Sequence, residues 1–150
     1  MSKSESGTEP ALPSEIASVF DAWPDPARDR ALGLRSQIFT IADEIRKTHN
    51  LKKPLEETLK WGEPAYILST GSTLRMGHKA ARPDTLSLYF NCNTRLVETF
   101  RELHGERLDL VGSRELSLPI AGDWPDDIVA DCIRKTLAYH TLKKLDLLGG

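Results

Sequence analysis

The spacing of apolar residues changes period along the chain, and those changes divide it into elements. Ile16, Val19 and Phe20 mark a short helix that Ser14 is placed to cap. After the break at Trp23-Pro24-Asp25, the residues Ala31, Leu34, Ile38, Ile41 and Ile45 recur at steps of three and four. That stripe predicts an amphipathic helix of about six turns. It ends near His49-Asn50, where asparagine tolerates a left-handed cap. Pro54 suits the first position of another short helix, Leu55 to Lys60, which Gly62 and Pro64 stop.

From there the period becomes two. Ala65 to Leu68 reads as a first strand and Gly71-Ser72 as a turn. Thr73 to His78 is a second strand with Leu74, Met76 and His78 on one face. After a loop from Lys79 to Asp84, Thr85 to Phe90 is a third, with Leu86, Leu88 and Phe90 on one face. A helix is expected from about Thr94 to His104, stopped by Gly105. Leu108 to Val111 and Glu115 to Leu118 are short strands, and a last helix starts near Trp124-Pro125-Asp126 and runs to about Lys144.

Helices, then strands joined by short loops, then helix, strand and helix predict an α+β fold. The expected sheet is mainly antiparallel, has about four to five strands, and carries helices packed on one face. Residues 1–13 are rich in Ser, Glu, Gly and Pro and are expected to be a flexible N-terminal tail. Residues 14–146 form a single domain, and 147–150 a frayed C-terminus.

Composition changes this picture little. The chain has 150 residues, 39% hydrophobic and 28% charged, which suits a core built without disulfides or metal. A net charge of −2 gives no reason to expect nucleic acid or an anionic membrane as partner. The N-terminus carries no apolar run like that of a secretory signal. Two cysteines, Cys92 and Cys132, stand outside any Cys-x-x-Cys pair, so a reducing cytoplasm is the expected location.

The densest chemistry lies in Trp61-Gly62-Glu63-Pro64-Ala65-Tyr66, read as a corner between a helix and a strand. Trp61 and Tyr66 are expected to anchor the core there and, with Glu63 and Tyr89, to border a ligand-binding cleft. Arg75, His78, Lys79 and Arg82 lie on or beside the long loop, where they could contact an anion. Catalysis is not legible. Cysteine-based phosphatase chemistry needs an arginine six residues after a cysteine, and those positions hold Glu98 and Ala138, so both Trp-Pro-Asp segments read as helix starts. Antiparallel pairing would hold His78 and Cys92 roughly 23 Å apart, too far for a shared metal.

The Trp61–Tyr66 element resembles the YdhG-like family, a bacterial domain of unknown function. Ala22-Trp23-Pro24 before a long helix, Leu86 to Phe90 before another, and Glu115 to Pro119 ahead of Trp124-Pro125 extend the resemblance over about residues 14–145. The loop from Arg75 to Asp84 is longer and more basic than that family's usual hairpin. The resemblance implies a small cytoplasmic α+β protein without established catalytic residues, hence a ligand- or protein-binding module with no resident cofactor. One branch is linked to frataxin-like iron delivery. It implies the alternative of an iron-binding accessory protein for iron–sulfur cluster assembly, with Glu15, Asp21, Asp25, Asp29, Asp43 and Glu44 as candidate carboxylates. A weaker alternative is an enzyme using Glu63 with Tyr89 or His78.

Overall fold

In a computed structural model, residues 9–150 are described, so residues 1–8 of the tail expected over residues 1–13 lie outside them. The helices are α1 (Ser14–Asp21), α2 (Asp25–His49), α3 (Leu96–His104), α4 (Asp126–Leu137) and α5 (Tyr139–Leu142). The strands are β1 (Glu56–Lys60), β2 (Glu63–Ile67), β3 (Leu74–Gly77), β4 (Thr85–Tyr89), β5 (Asp109–Val111) and β6 (Glu115–Pro119). They form one six-stranded sheet in the order β1-β2-β3-β4-β6-β5, with every pairing antiparallel. The α+β expectation holds, with six strands where four to five were expected. No helix among the described residues is long and apolar enough to cross a membrane.

The extra strand is β1, in the segment expected to be helical. Glu56-Glu57-Thr58-Leu59-Lys60 is rich in helix formers, but its neighbour decides its conformation. All five residues pair with β2, from Glu56 opposite Ile67 to Lys60 opposite Glu63. That register leaves Trp61 and Gly62 as a two-residue hairpin loop, with φ of +57° and +78°. Positive φ at both positions is the type I′ pattern, whose twist matches the strands it joins. The corner between a helix and a strand is therefore a β-hairpin tip.

Register assigns the faces. Tyr66 stands opposite Leu74, Met76 opposite Leu88, and Leu88 opposite Leu116. This row meets Ile38, Phe39 and Ala42 of α2 and Val129, Ile133 and Leu137 of α4 in one buried core. The long helix ends where its pattern stops, at Asn50 in the left-handed conformation (φ +54°). Trp23, at the α1–α2 junction, packs between Phe20 and His78. Trp124 leads into α4 beneath the guanidinium of Arg30, 3.7 Å from its ring centroid.

Contacts hold residues near both ends of the described segment. Glu9 bonds Arg35 and Ser36 of α2, so the segment beginning at residue 9 is docked on that helix. The helix expected to run to about Lys144 breaks at Ala138, so that α4 stops at Leu137 and α5 spans Tyr139–Leu142, and the chain then turns through the short element Asp146–Gly149. Leu148, within the segment 147–150 expected to be frayed, is buried at 1% exposure.

The cysteines differ in environment. Cys132 is fully buried on α4, and loss of solvent, with the nearby Asp131 charge, pushes its thiol pKa up to about 12. Cys92 is exposed. Because the thiolate is the reactive form, a disulfide reagent at neutral pH is expected to modify one thiol per native chain, and both after urea unfolding. Release of chromophore against time checks this.

Candidate functional site

The face of the sheet away from the helices carries the chemistry. Strand alternation directs Glu63, Arg75, Gly77, Ser87, Tyr89, Glu115 and Ser117 to that side. An antiparallel sheet can leave such a face to solvent. Here Ser87, Tyr89, Glu115 and Ser117 are each less than 9% exposed, because the loop after β3 folds back across them. Arg82 on that loop donates to Ser117 Oγ at 3.1 Å and lies 3.6 Å from Glu115. Ser87 donates to the other side of the same network, 2.7 Å from Glu115 Oε2. Lys79 places its ammonium 5.3 Å from the Tyr89 ring centroid. The length and basicity of the loop thus serve to cover a polar sheet face.

Glu63 and Tyr89 meet above Gly77. A Cβ at residue 77 would lie 3.0 Å from both the Glu63 carboxylate and the Tyr89 ring, so the missing side chain provides the floor on which they approach. Arg75 closes the group, donating to Glu63 Oε1 at 2.6 Å with its guanidinium 5.4 Å from the Tyr89 ring centroid. Partial burial raises the Glu63 pKa, while the positive charges of Arg75 and Lys79 pull against that shift. The approach to Tyr89, followed by the Glu115 charge, raises the Lys79 pKa. The Tyr89 hydroxyl is shut away from solvent and has no hydrogen-bond partner among the described residues.

Two expected members lie elsewhere. Tyr66 is three residues from Glu63, an odd step that turns it to the opposite face. There it is fully buried and donates to Glu57 Oε2 at 2.8 Å. It is a core residue, and the four-residue cleft does not exist as one place. His78 likewise faces the helices, where its Nε2 meets the Pro83 carbonyl at 3.0 Å and its ring approaches Trp23. Of the expected anion contacts, Arg75 on β3 and Lys79 and Arg82 on the loop share the sheet face away from the helices. Of the two partners weighed for Glu63, only Tyr89 stands beside it.

Trp61 departs furthest from expectation. Its ring is 90% exposed at the hairpin tip, so it anchors no core. It borders a hollow of about 240 Å3 with Lys60, Thr73, Arg75, Phe90, Asn91, Cys92 and Arg114. Of these, Arg75 was expected to contact an anion and Cys92 was weighed only as a metal ligand, while Lys60, Asn91 and Arg114 were not singled out from the sequence. Arg114 comes close because its carbonyl accepts from the Phe90 N–H at 2.8 Å, which ties the start of β6 to the end of β4. No short motif signals that approach.

Among the described residues, no group of three or more His, Cys, Asp or Glu side chains comes together to hold a metal ion. No family model matches the chain, and no curated protein or solved structure matches it.

Left-handed backbone is unfavourable for a large L-residue, and asparagine followed by glycine is the preferred pair for this turn. Trp61→Asn is therefore expected to raise stability by about 0.5–1 kcal/mol. Urea unfolding checks this. A loss of 3 kcal/mol or more, as expected for a buried tryptophan, would contradict the exposed placement.

Proposed function

We propose that this protein is a non-catalytic small-molecule-binding module whose site lies beside the Trp61 hairpin, at the border of the sheet face that points away from the helices. The observation that carries the reading is the position of Trp61. A large aromatic is 90% exposed, at a backbone position with φ +57° that favours glycine or asparagine. Packing does not account for it, and the turn would be more stable without it. A rigid, amphipathic ring displayed beside a hollow is well suited to grip a ligand. The surrounding polar groups support binding more than catalysis, because Glu63 is already engaged by Arg75. The absence of established catalytic residues in the YdhG-like family fits the same reading.

The test is retention of small molecules from a metabolite extract by purified protein, followed by ultrafiltration and mass spectrometry. Wild type is expected to retain a defined compound or compound class, and Trp61→Ala to lose it while keeping the wild-type unfolding free energy within about 1 kcal/mol. Retention of nothing, or equal retention by the variant, would overturn the proposal.

A further inference from the structure

We infer that the hollow beside Trp61 takes a planar ring carrying a phosphate monoester; this rests on the binding-module reading and names its ligand class. The first ground is charge. Lys60, Arg75 and Arg114 line the hollow, and no carboxylate does. Arg75 is committed to Glu63 at 2.6 Å. Lys60 and Arg114 have no ion pair among the described residues, so two of the residues lining one small volume carry uncompensated positive charge. A phosphate monoester carries about −1.5 to −2 at neutral pH and matches that pair. A carboxylate, with one charge, would leave a cation unmatched.

The second ground is the type of hydrogen-bonding group. The Asn91 side-chain oxygen accepts from the Asn93 N–H at 2.8 Å, and this leaves the Asn91 amide N–H groups as its free donors. Arg114 offers a planar fork that suits phosphate oxygens. The lining is thus donor-rich, as an oxyanion requires.

The third ground is Trp61. Its exposed indole provides a face on which a planar ring can stack. At about 240 Å3 the hollow is small, which suits a phosphate group seated within it and a ring laid against the indole at its border.

Isothermal titration calorimetry with AMP, phenyl phosphate, adenosine and inorganic phosphate tests the inference. AMP and phenyl phosphate are expected to bind, with adenosine and inorganic phosphate each weaker by about tenfold or more. Arg114→Gln and Lys60→Gln are each expected to weaken AMP binding about tenfold. Both side chains are exposed, so thermal unfolding of these variants should match wild type. Adenosine binding as tightly as AMP, no binding of either phosphate ester, or unchanged affinity in both charge variants would overturn the inference. A single-stranded oligonucleotide binding more than tenfold tighter than AMP would assign the hollow to a nucleic-acid strand and overturn it as well. If the extract yields a Trp61-dependent compound without phosphate, the ligand class fails and the binding module stands. If the extract yields nothing, the module itself fails.

Discussion

Arg35→Ala is expected to lower stability by about 3–5 kcal/mol in urea unfolding. Arg35 is only 2% exposed in the middle of α2. Its guanidinium grips Glu57 with two bonds, Nε to Oε2 at 2.6 Å and Nη2 to Oε1 at 2.8 Å. It also donates to Glu9 at 2.9 Å and to the Pro10 carbonyl at 3.1 Å. Burial alone would weaken its charge, yet hydrogen bonding and Coulomb attraction to Glu57 prevail and raise the Arg35 pKa. Removing the arginine strands the Glu57 carboxylate, whose side chain is 5% exposed, with only the Tyr66 hydroxyl for company. An uncompensated buried charge of this kind costs far more than the intact pair contributes. The double variant Arg35→Met/Glu57→Leu removes both charges and should recover at least half of the loss. A single-variant loss below about 1 kcal/mol would show that the pair is hydrated instead of buried.

Gly71→Ala is the second large effect, a loss of about 3 kcal/mol or more by thermal or urea unfolding. The β2–β3 turn is clasped against the end of α4. The Ser72 N–H donates to the Thr136 carbonyl at 2.9 Å, the Thr70 hydroxyl to the Leu137 carbonyl at 2.8 Å, and the His140 N–H to the Thr70 carbonyl at 2.7 Å. A Cβ on residue 71 would fall 2.2 Å from the Leu137 carbonyl oxygen and 2.6 Å from that of Thr136. Both obstacles are backbone, so relief requires the turn and helix to part, with loss of the bonds that join them. Gly33→Ala is the matched control. Nothing lies within 4 Å of its new methyl group, and in the interior of α2 the change should stabilise by about 0.5–1 kcal/mol. Equal effects at the two glycines would show that the clasp contributes nothing.

Long-period patterns were the most legible part of this chain. The stripe from Ala31 to Ile45 predicted α2, and Asn50 ends it as its chemistry suggested. The alternation of Leu74 with Met76 and of Leu86 with Leu88 placed β3 and β4 and their buried faces. β1 was hidden because a segment with four helix-forming residues out of five is held extended by a partner strand and a turn, a tertiary effect that local propensity does not contain. The available clue was the two-residue interval ending in Gly62 between segments able to pair. Trp61 was misplaced for the same reason, since a tryptophan at a hairpin tip and one in a core read alike until the turn is recognised. Tyr66 and Glu63 then separate to opposite faces by simple alternation. The Arg35–Glu57 pair was illegible because it joins residues 22 apart through a helix face and a strand that had not been recognised.

The strand order leaves two borders, β1 on one side and β5 on the other. Unpaired strand edges invite association between molecules, and a net charge of −2 is small for keeping copies apart. Each border has its own protection. Exposed Glu56 and Lys60 stand at the two ends of β1, while β5 is only three residues long and begins with exposed Asp109. A strand from another molecule would have to align beside these charges or gain too few hydrogen bonds to hold. The colloidal behaviour of the protein at high concentration therefore rests on a few border side chains more than on its overall charge.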